Sequence, residues 1–153
     1  MNIVLTIVRI NGPINAIFDL VTTARYWPAW HPSTVSVVGV TERPYQLGDT
    51  VRQMAHSGGR PRDGVWTVTE HCRPERVTLQ MHGGDIEIRY TFAAVEGGTQ
   101  VIRRLMYTAD FVDGGHDLTT FEQLMHSESE VGLLQLKGLV EAILRQEAEH
   151  SSS

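Results

Sequence analysis

An α+β fold, in which a curved seven-stranded antiparallel sheet closes over one long C-terminal helix, is the architecture this sequence predicts, and two observations carry it. From Ser127 to His150 the apolar residues recur at helical spacing, with no proline between 128 and 149. Most of the chain before that helix reads as short strands joined by Gly-containing turns, with two short helical pieces between the first strand and the second. On the long helix Leu133, Leu136, Leu139, Val140, Ile143 and Leu144 form one wide stripe, with Glu130, Lys137, Glu141 and Arg145 opposite. Such a stripe demands cover, and a curved sheet supplies it.

Taken in order, Ile3 to Ile10 is aliphatic apart from Thr6 and Arg9, as suits a strand with both faces partly covered. Asn11-Gly12-Pro13 ends it, and Ile14, Ile17, Phe18 and Val21 then give helical spacing. A second short piece carries Tyr26, Trp27 and Trp30, held short by Pro28 and Pro32. The run Thr34 to Glu42 alternates and slips phase at Val37-Val38-Gly39, which predicts a β-bulge. Strands follow near Thr50 to Ser57, Gly64 to His71, Arg76 to His82, Ile86 to Phe92 and Thr99 to Ala109. Asp113 to His116 starts a looser region, and Leu118 to Met125 reads as a separate short helix or lid. No repeat or linker divides the chain, so residues 1–150 form one domain and 151–153 a disordered tail.

Composition narrows the function classes. A chain of 153 residues buries roughly 70% of its unfolded surface, enough for a core without staples. The net charge of -5, with no basic run longer than Arg103-Arg104, excludes a nucleic-acid surface. Cys72 is the single cysteine, so no internal disulfide forms and a reducing compartment is expected. No stretch approaches 18 apolar residues and no basic region precedes the N-terminal apolar run, so membrane insertion and a signal peptide are not expected. A cytoplasmic protein is the resulting expectation. Seven histidines contain no close pair and no HExxH, so no metal site is expected.

The element order, together with PINAIFDLVTTARYWPAWHPS, LGDTV, WTVTEHCRPERVTL, YTFAAVEGGTQVIRRL and a leucine-rich last helix containing Lys137, resembles the START-like (Bet v 1-like, SRPBCC) superfamily, within it the polyketide cyclase/dehydrase and lipid-transport group. The resemblance covers nearly the whole chain. It implies a helix-grip fold enclosing a cavity for a hydrophobic ligand, and either a carrier or a cofactor-free cyclase, aromatase or dehydratase. A protein-interaction or regulatory module, with homodimerisation left open, is a third class. The resemblance supplies no shared catalytic set.

Candidate site residues are those expected to face inward. Arg103 and Arg104 are adjacent, so one of them points inward and can orient a carboxylate, enol or phenol, with Glu70 or Glu87 as its partner. Trp66, Val68 and Glu70 share a strand face by alternation, as do Met54 and His56. Trp30 and His31 cap one end, the histidine as an acid or base near neutral pH. Tyr90 and Tyr107 offer hydroxyls, and Met125 and Leu136 offer apolar walls. Gly132 either leaves room for a ligand or packs closely on a side chain.

Overall fold

The computed structural model describes residues 2–57, 59–108 and 117–151. The first strand, β1 (Asn2–Ile10), leads into α1 (Ile14–Val21), a 3-10 turn (Ala24–Tyr26) and α2 (Trp27–Trp30). Then come β2 (Thr34–Gly39), β3 (Thr50–Ser57), the two-residue β4 (Arg60–Pro61), β5 (Gly64–Cys72), β6 (Arg76–Met81), β7 (Ile86–Val95), β8 (Gly98–Tyr107) and α3 (Leu118–Ser151). Seven strands form an antiparallel sheet in the order β1-β8-β7-β6-β5-β3-β2, and β4 folds back on β3. This is the helix-grip arrangement. The region expected at Asp113 to His116 and the last residues, 152–153, lie outside the described residues.

Each hairpin follows from its turn and its alternation. Glu96-Gly97 joins β7 to β8, with Gly97 at φ 78°, a conformation that glycine adopts freely, and the register then runs unbroken from Val95↔Gly98 to Ile86↔Tyr107. On β8 every second residue is buried, Val101, Arg103, Leu105 and Tyr107, so that face looks into the molecule. The edge strand β1 does the same with Val4, Val8 and Ile10, leaving Ile3, Leu5 and Ile7 exposed on its outer side.

Two bulges re-aim side chains. The predicted bulge in β2 exists, but the register shifts between Thr34 and Ser36, nearer the strand's start than expected. A second, unexpected shift lies between Val68 and Glu70 in β5. Trp66 and Val68 are buried as expected, but the bulge turns Glu70 to the convex face. There it accepts from Thr78 Oγ1 at 2.9 Å and pairs with Arg76 at 3.0 Å.

The separate short helix expected at Leu118 to Met125 is the start of α3, one continuous helix of 34 residues, about 51 Å long at 1.5 Å per residue. Its buried line is Phe121, Met125, Ser129, Leu133, Leu136 and Val140, spaced by three and four, with Leu139, Ile143 and Leu144 half-buried beyond. Helix α1 docks through buried Ile17, Phe18 and Val21. Its Asp19 also meets Arg73 at 2.9 Å, but that pair is about half exposed. An exposed ion pair is worth roughly 0.2–1 kcal/mol, against about 1.5–3 for burying one large apolar side chain, so the apolar face fixes α1.

Of the two readings of Gly132, close packing is the one observed. A Cβ there would sit 3.2 Å from Pro32 Cδ and 3.7 Å from the Trp30 carbonyl, so α3 crosses α2 at this residue. Gly132→Leu is expected to destabilise the fold by about 1–3 kcal/mol through overpacking. Gly132→Ala should stay near wild type, because a helix-propensity gain of about 1 kcal/mol offsets the tight contact. Thermal unfolding checks both, and a wild-type melting temperature for the leucine variant would show the crossing to be slack.

Candidate functional site

Between the concave face of the sheet and α3 lies a cavity of about 80 Å³. Leu79, Met81, Ile86, Ile88, Leu105 and Met125 give it apolar walls, and Trp27, Trp30, Trp66 and Tyr90 add aromatic surface. Its polar groups come from five places: His31 and Ser33 beyond α2, Gln53 and Ser57 on β3, Arg62 following β4, Arg103 on β8, and Glu128 and Ser129 on α3.

Arg103 is the centre of this set. The alternation of β8 points it inward, where only 4% of the residue is exposed, while Arg104 faces outward. Its Nε donates to Tyr90 Oη at 3.2 Å and its Nη1 donates to Ser129 Oγ. Its Nη2 lies 3.4 Å from His31 Nε2. All three partners are neutral, and no carboxylate lies within 4.0 Å of Arg103 among the described residues. Neither Glu70 nor Glu87 is its partner, since the β5 bulge turns the first outward and Glu87 has the opposite parity to Tyr90 on β7.

The guanidinium determines the state of His31. Arginine only donates, so Nε2 must accept and Nδ1 must carry the proton, which it gives to the hydroxyls of Ser33 and Thr34, each 3.0 Å away. Thr34 Oγ1 also accepts from Gln53 Nε2 at 2.6 Å, and Gln53 Oε1 accepts from Trp66 Nε1 at 2.9 Å. A chain of hydrogen bonds therefore runs from Trp66 on β5 through β3 and β2 to His31 and Arg103. His31 is half-buried as a residue, but its ring is enclosed by Ser33, Thr34, Arg103 and the Trp30 ring 5.7 Å away. Burial first, and the Arg103 charge second, push its pKa down to about 3. It is thus an acceptor near neutral pH and not the proton carrier that the sequence suggests.

Glu128 is different. Ser57 Oγ donates to its Oε1 at 2.6 Å, and burial raises its pKa above the ordinary carboxylate value, opposed in part by that hydrogen bond and by the charges of Arg103 and Arg62. Arg62 stands beside it, its guanidinium 5.1 Å from the Phe121 ring centroid and its Nε donating to the Ser57 carbonyl at 3.3 Å.

Of the residues singled out from sequence, Trp30, His31, Trp66, Tyr90, Arg103 and Met125 line the cavity. Met54 and His56 do not, because β3 buries the alternate set Val51, Gln53, Ala55 and Ser57. Tyr107 and Leu136 are buried in the core away from the cavity, Tyr107 against Phe121 with ring centroids 5.1 Å apart. Glu70, Arg104 and Gly132 are also outside it. Sequence reasoning missed Gln53, Ser57, Glu128 and Ser129 as cavity residues. Ser129 had a readable signal, since it lies four residues from both Met125 and Leu133 on the buried helical line.

The histidine state has a measurable consequence. Its folded-state pKa lies below the ordinary 6.5, so between about 3 and 6.5 the unfolded chain takes up a proton that the folded chain refuses. The stability contributed is complete above the ordinary value and is lost as pH falls toward 3. His31→Gln should flatten this acid limb in urea unfolding measured between about pH 4 and 7. Equal slopes for the two proteins would show that His31 titrates normally.

Comparisons with known proteins agree on the fold. A profile of the family described as "Polyketide cyclase / dehydrase and lipid transport" matches residues 3–141. A START superfamily protein from Mycobacterium smegmatis is similar at TM-score 0.75 and 17% identity, covering 92% of this chain and 98% of that one. The Zhui aromatase/cyclase from Streptomyces sp. R1128 gives TM-score 0.74 at 14% identity over 92% and 93% of the two chains. The Aha1 dimer from Colwellia psychrerythraea gives 0.68 at 22% identity over 92% and 97%. At these identities the likeness speaks for fold alone. No curated protein matches the chain by sequence. Because the profile spans nearly the entire sheet and most of α3, the chain belongs to the polyketide cyclase / dehydrase and lipid transport family.

Proposed function

We propose that this protein binds a hydrophobic or aromatic small molecule in the cavity under α3, with an oxygen of that molecule seated on Arg103. The observation that carries the reading is a buried guanidinium, bonded only to neutral groups, on an otherwise largely apolar cavity. A buried charge whose hydrogen-bond partners are all neutral is costly, and a ligand oxygen bearing full or partial negative charge relieves that cost. Three of the five guanidinium N–H groups are committed to protein partners, which leaves two for the ligand. The family description, which names polyketide cyclases and lipid transport, and the neighbour named an aromatase/cyclase lend support.

Size sharpens the proposal. The cavity of about 80 Å³ is small beside the roughly 300–1,000 Å³ typical of drug-sized ligand sites, so an aromatic ligand enters only as side chains move aside. Met81 and Met125, unbranched and flexible, are the walls best suited to move.

All three tryptophans of the chain line the cavity, so intrinsic fluorescence reports its occupancy directly. Titration with 2-naphthoate and with its methyl ester should show tighter binding of the acid. Arg103→Met should remove that preference, a loss of about tenfold to a hundredfold for a charge-assisted hydrogen bond worth roughly 1.5–3 kcal/mol. Equal affinities for acid and ester in the wild-type protein, or binding of neither, would defeat the proposal.

A further inference from the structure

We propose that Glu128 is the proton-transfer residue of this cavity, acting on the carbon next to a carbonyl whose oxygen lies on Arg103 and Tyr90. This rests on the binding mode proposed above and adds a reaction to it: cofactor-free exchange of the α proton of an apolar ketone, or shift of its β,γ double bond, through a bound enolate.

The geometry supplies the parts. Glu128 is the one carboxylate lining the cavity among the described residues. It is adjacent on α3 to Ser129, whose hydroxyl holds Arg103, so the helix presents a base and the support of an oxyanion site side by side. Ser57 fixes Oε1 at 2.6 Å, and the other carboxylate oxygen takes no hydrogen bond from the described residues, leaving it for a substrate proton. On the opposite wall Tyr90 Oη accepts from Arg103 Nε, so its own O–H stays able to donate beside the free guanidinium N–H groups. His31, the other candidate base, is spent as the acceptor for Arg103 and resists protonation. The shift of Glu128 is in the direction that makes a carboxylate a stronger base.

The step balances within the site. The Glu128 carboxylate takes a proton from the α carbon, and the C–H electron pair becomes the C=C bond. The carbonyl π pair moves to oxygen, where Arg103 and Tyr90 hold the enolate. Glu128, now protonated, returns the proton to carbon, on the same atom or, in a β,γ-unsaturated ketone, on the γ carbon. No electron acceptor or second substrate enters.

The test uses 2-tetralone, a flat aromatic ketone, in D2O, with deuterium uptake at the α carbons followed by proton NMR and binding followed by tryptophan fluorescence. Wild-type protein should accelerate exchange above the buffer rate. Glu128→Gln, which keeps an acceptor for Ser57, should bind the ketone within about twofold of wild type yet lose a hundredfold or more of the exchange rate. Glu128→Asp should retain a measurable part. Charged and titratable groups that face Glu128 are Arg103 from β8 and Arg62 after β4, with the Ser57 hydroxyl between them; His31 and Tyr90 share the cavity. The exchange rate should therefore rise through one ionisation above the normal carboxylate range, and that limb should vanish in Glu128→Gln. Binding with exchange no faster than buffer, or with equal rates for wild type and Glu128→Gln, overturns the proton-transfer role while leaving the binding site standing. A ketone that leaves the fluorescence unchanged overturns both.

Discussion

A positive charge buried with only neutral hydrogen-bond partners is the constraint on which the rest of this structure depends. Arg103 sits in the middle of β8, flanked by β1 and β7, and the strand's alternation gives it no way out to solvent. Its three neutral partners come from β7, α3 and the segment after α2, so the guanidinium ties together elements that are distant in sequence. Each partner in turn needs a supporter. His31 is held by Ser33 and Thr34, Thr34 by Gln53, and Gln53 by Trp66. A polar network of this kind specifies one arrangement, because each broken link leaves a buried group unsatisfied at roughly 1–3 kcal/mol.

The same constraint separates two titratable residues of the cavity. His31 and Glu128 both border the cavity and both shift, in opposite senses of availability. Burial first, and the guanidinium second, make His31 unable to hold a proton near neutral pH, whereas burial makes Glu128 readier to hold one. Environment, and not the intrinsic pKa of the residue type, decides which group can move protons.

How far the sequence could be read depended on where its periodicity was unbroken. The alternation Ile86, Ile88, Tyr90, Phe92 and the helical stripe beyond Val131 each have one apolar side, and both gave the right faces. The phrase TVRQMAHS of β3 sets Val51 and Ala55 against Met54, too little contrast to fix its parity, and it is Gln53 and Ser57, not Met54 and His56, that face inward. Glu70 failed for another reason. Alternation was sound up to Val68, and one extra residue reversed it. Arg103 and Arg104 could not be told apart while apolar residues lie at both parities around them; pairing with Tyr90 on β7 settles the matter. Ser129 lay in the open, on the buried helical line, but only for a reader who carried that line back past Ser127.

The strand order has a mechanical corollary. Strands β7 and β8, ten residues each and paired without a slip, form one wall of the cavity, and β8 is clamped on its other side by β1 along its whole length. Across the cavity β3 supplies Gln53, Ala55 and Ser57, and its own neighbours there are the edge strand β2, whose pairing is interrupted, and the two-residue β4. Stiffness in a sheet comes from long continuous ladders, and local opening begins where they are short or broken. The cavity therefore has an anvil and a spring. Arg103 and Tyr90 stand on the anvil, while Gln53 and Ser57 ride on the spring, the side on which a guest larger than the resting space meets the shorter ladders.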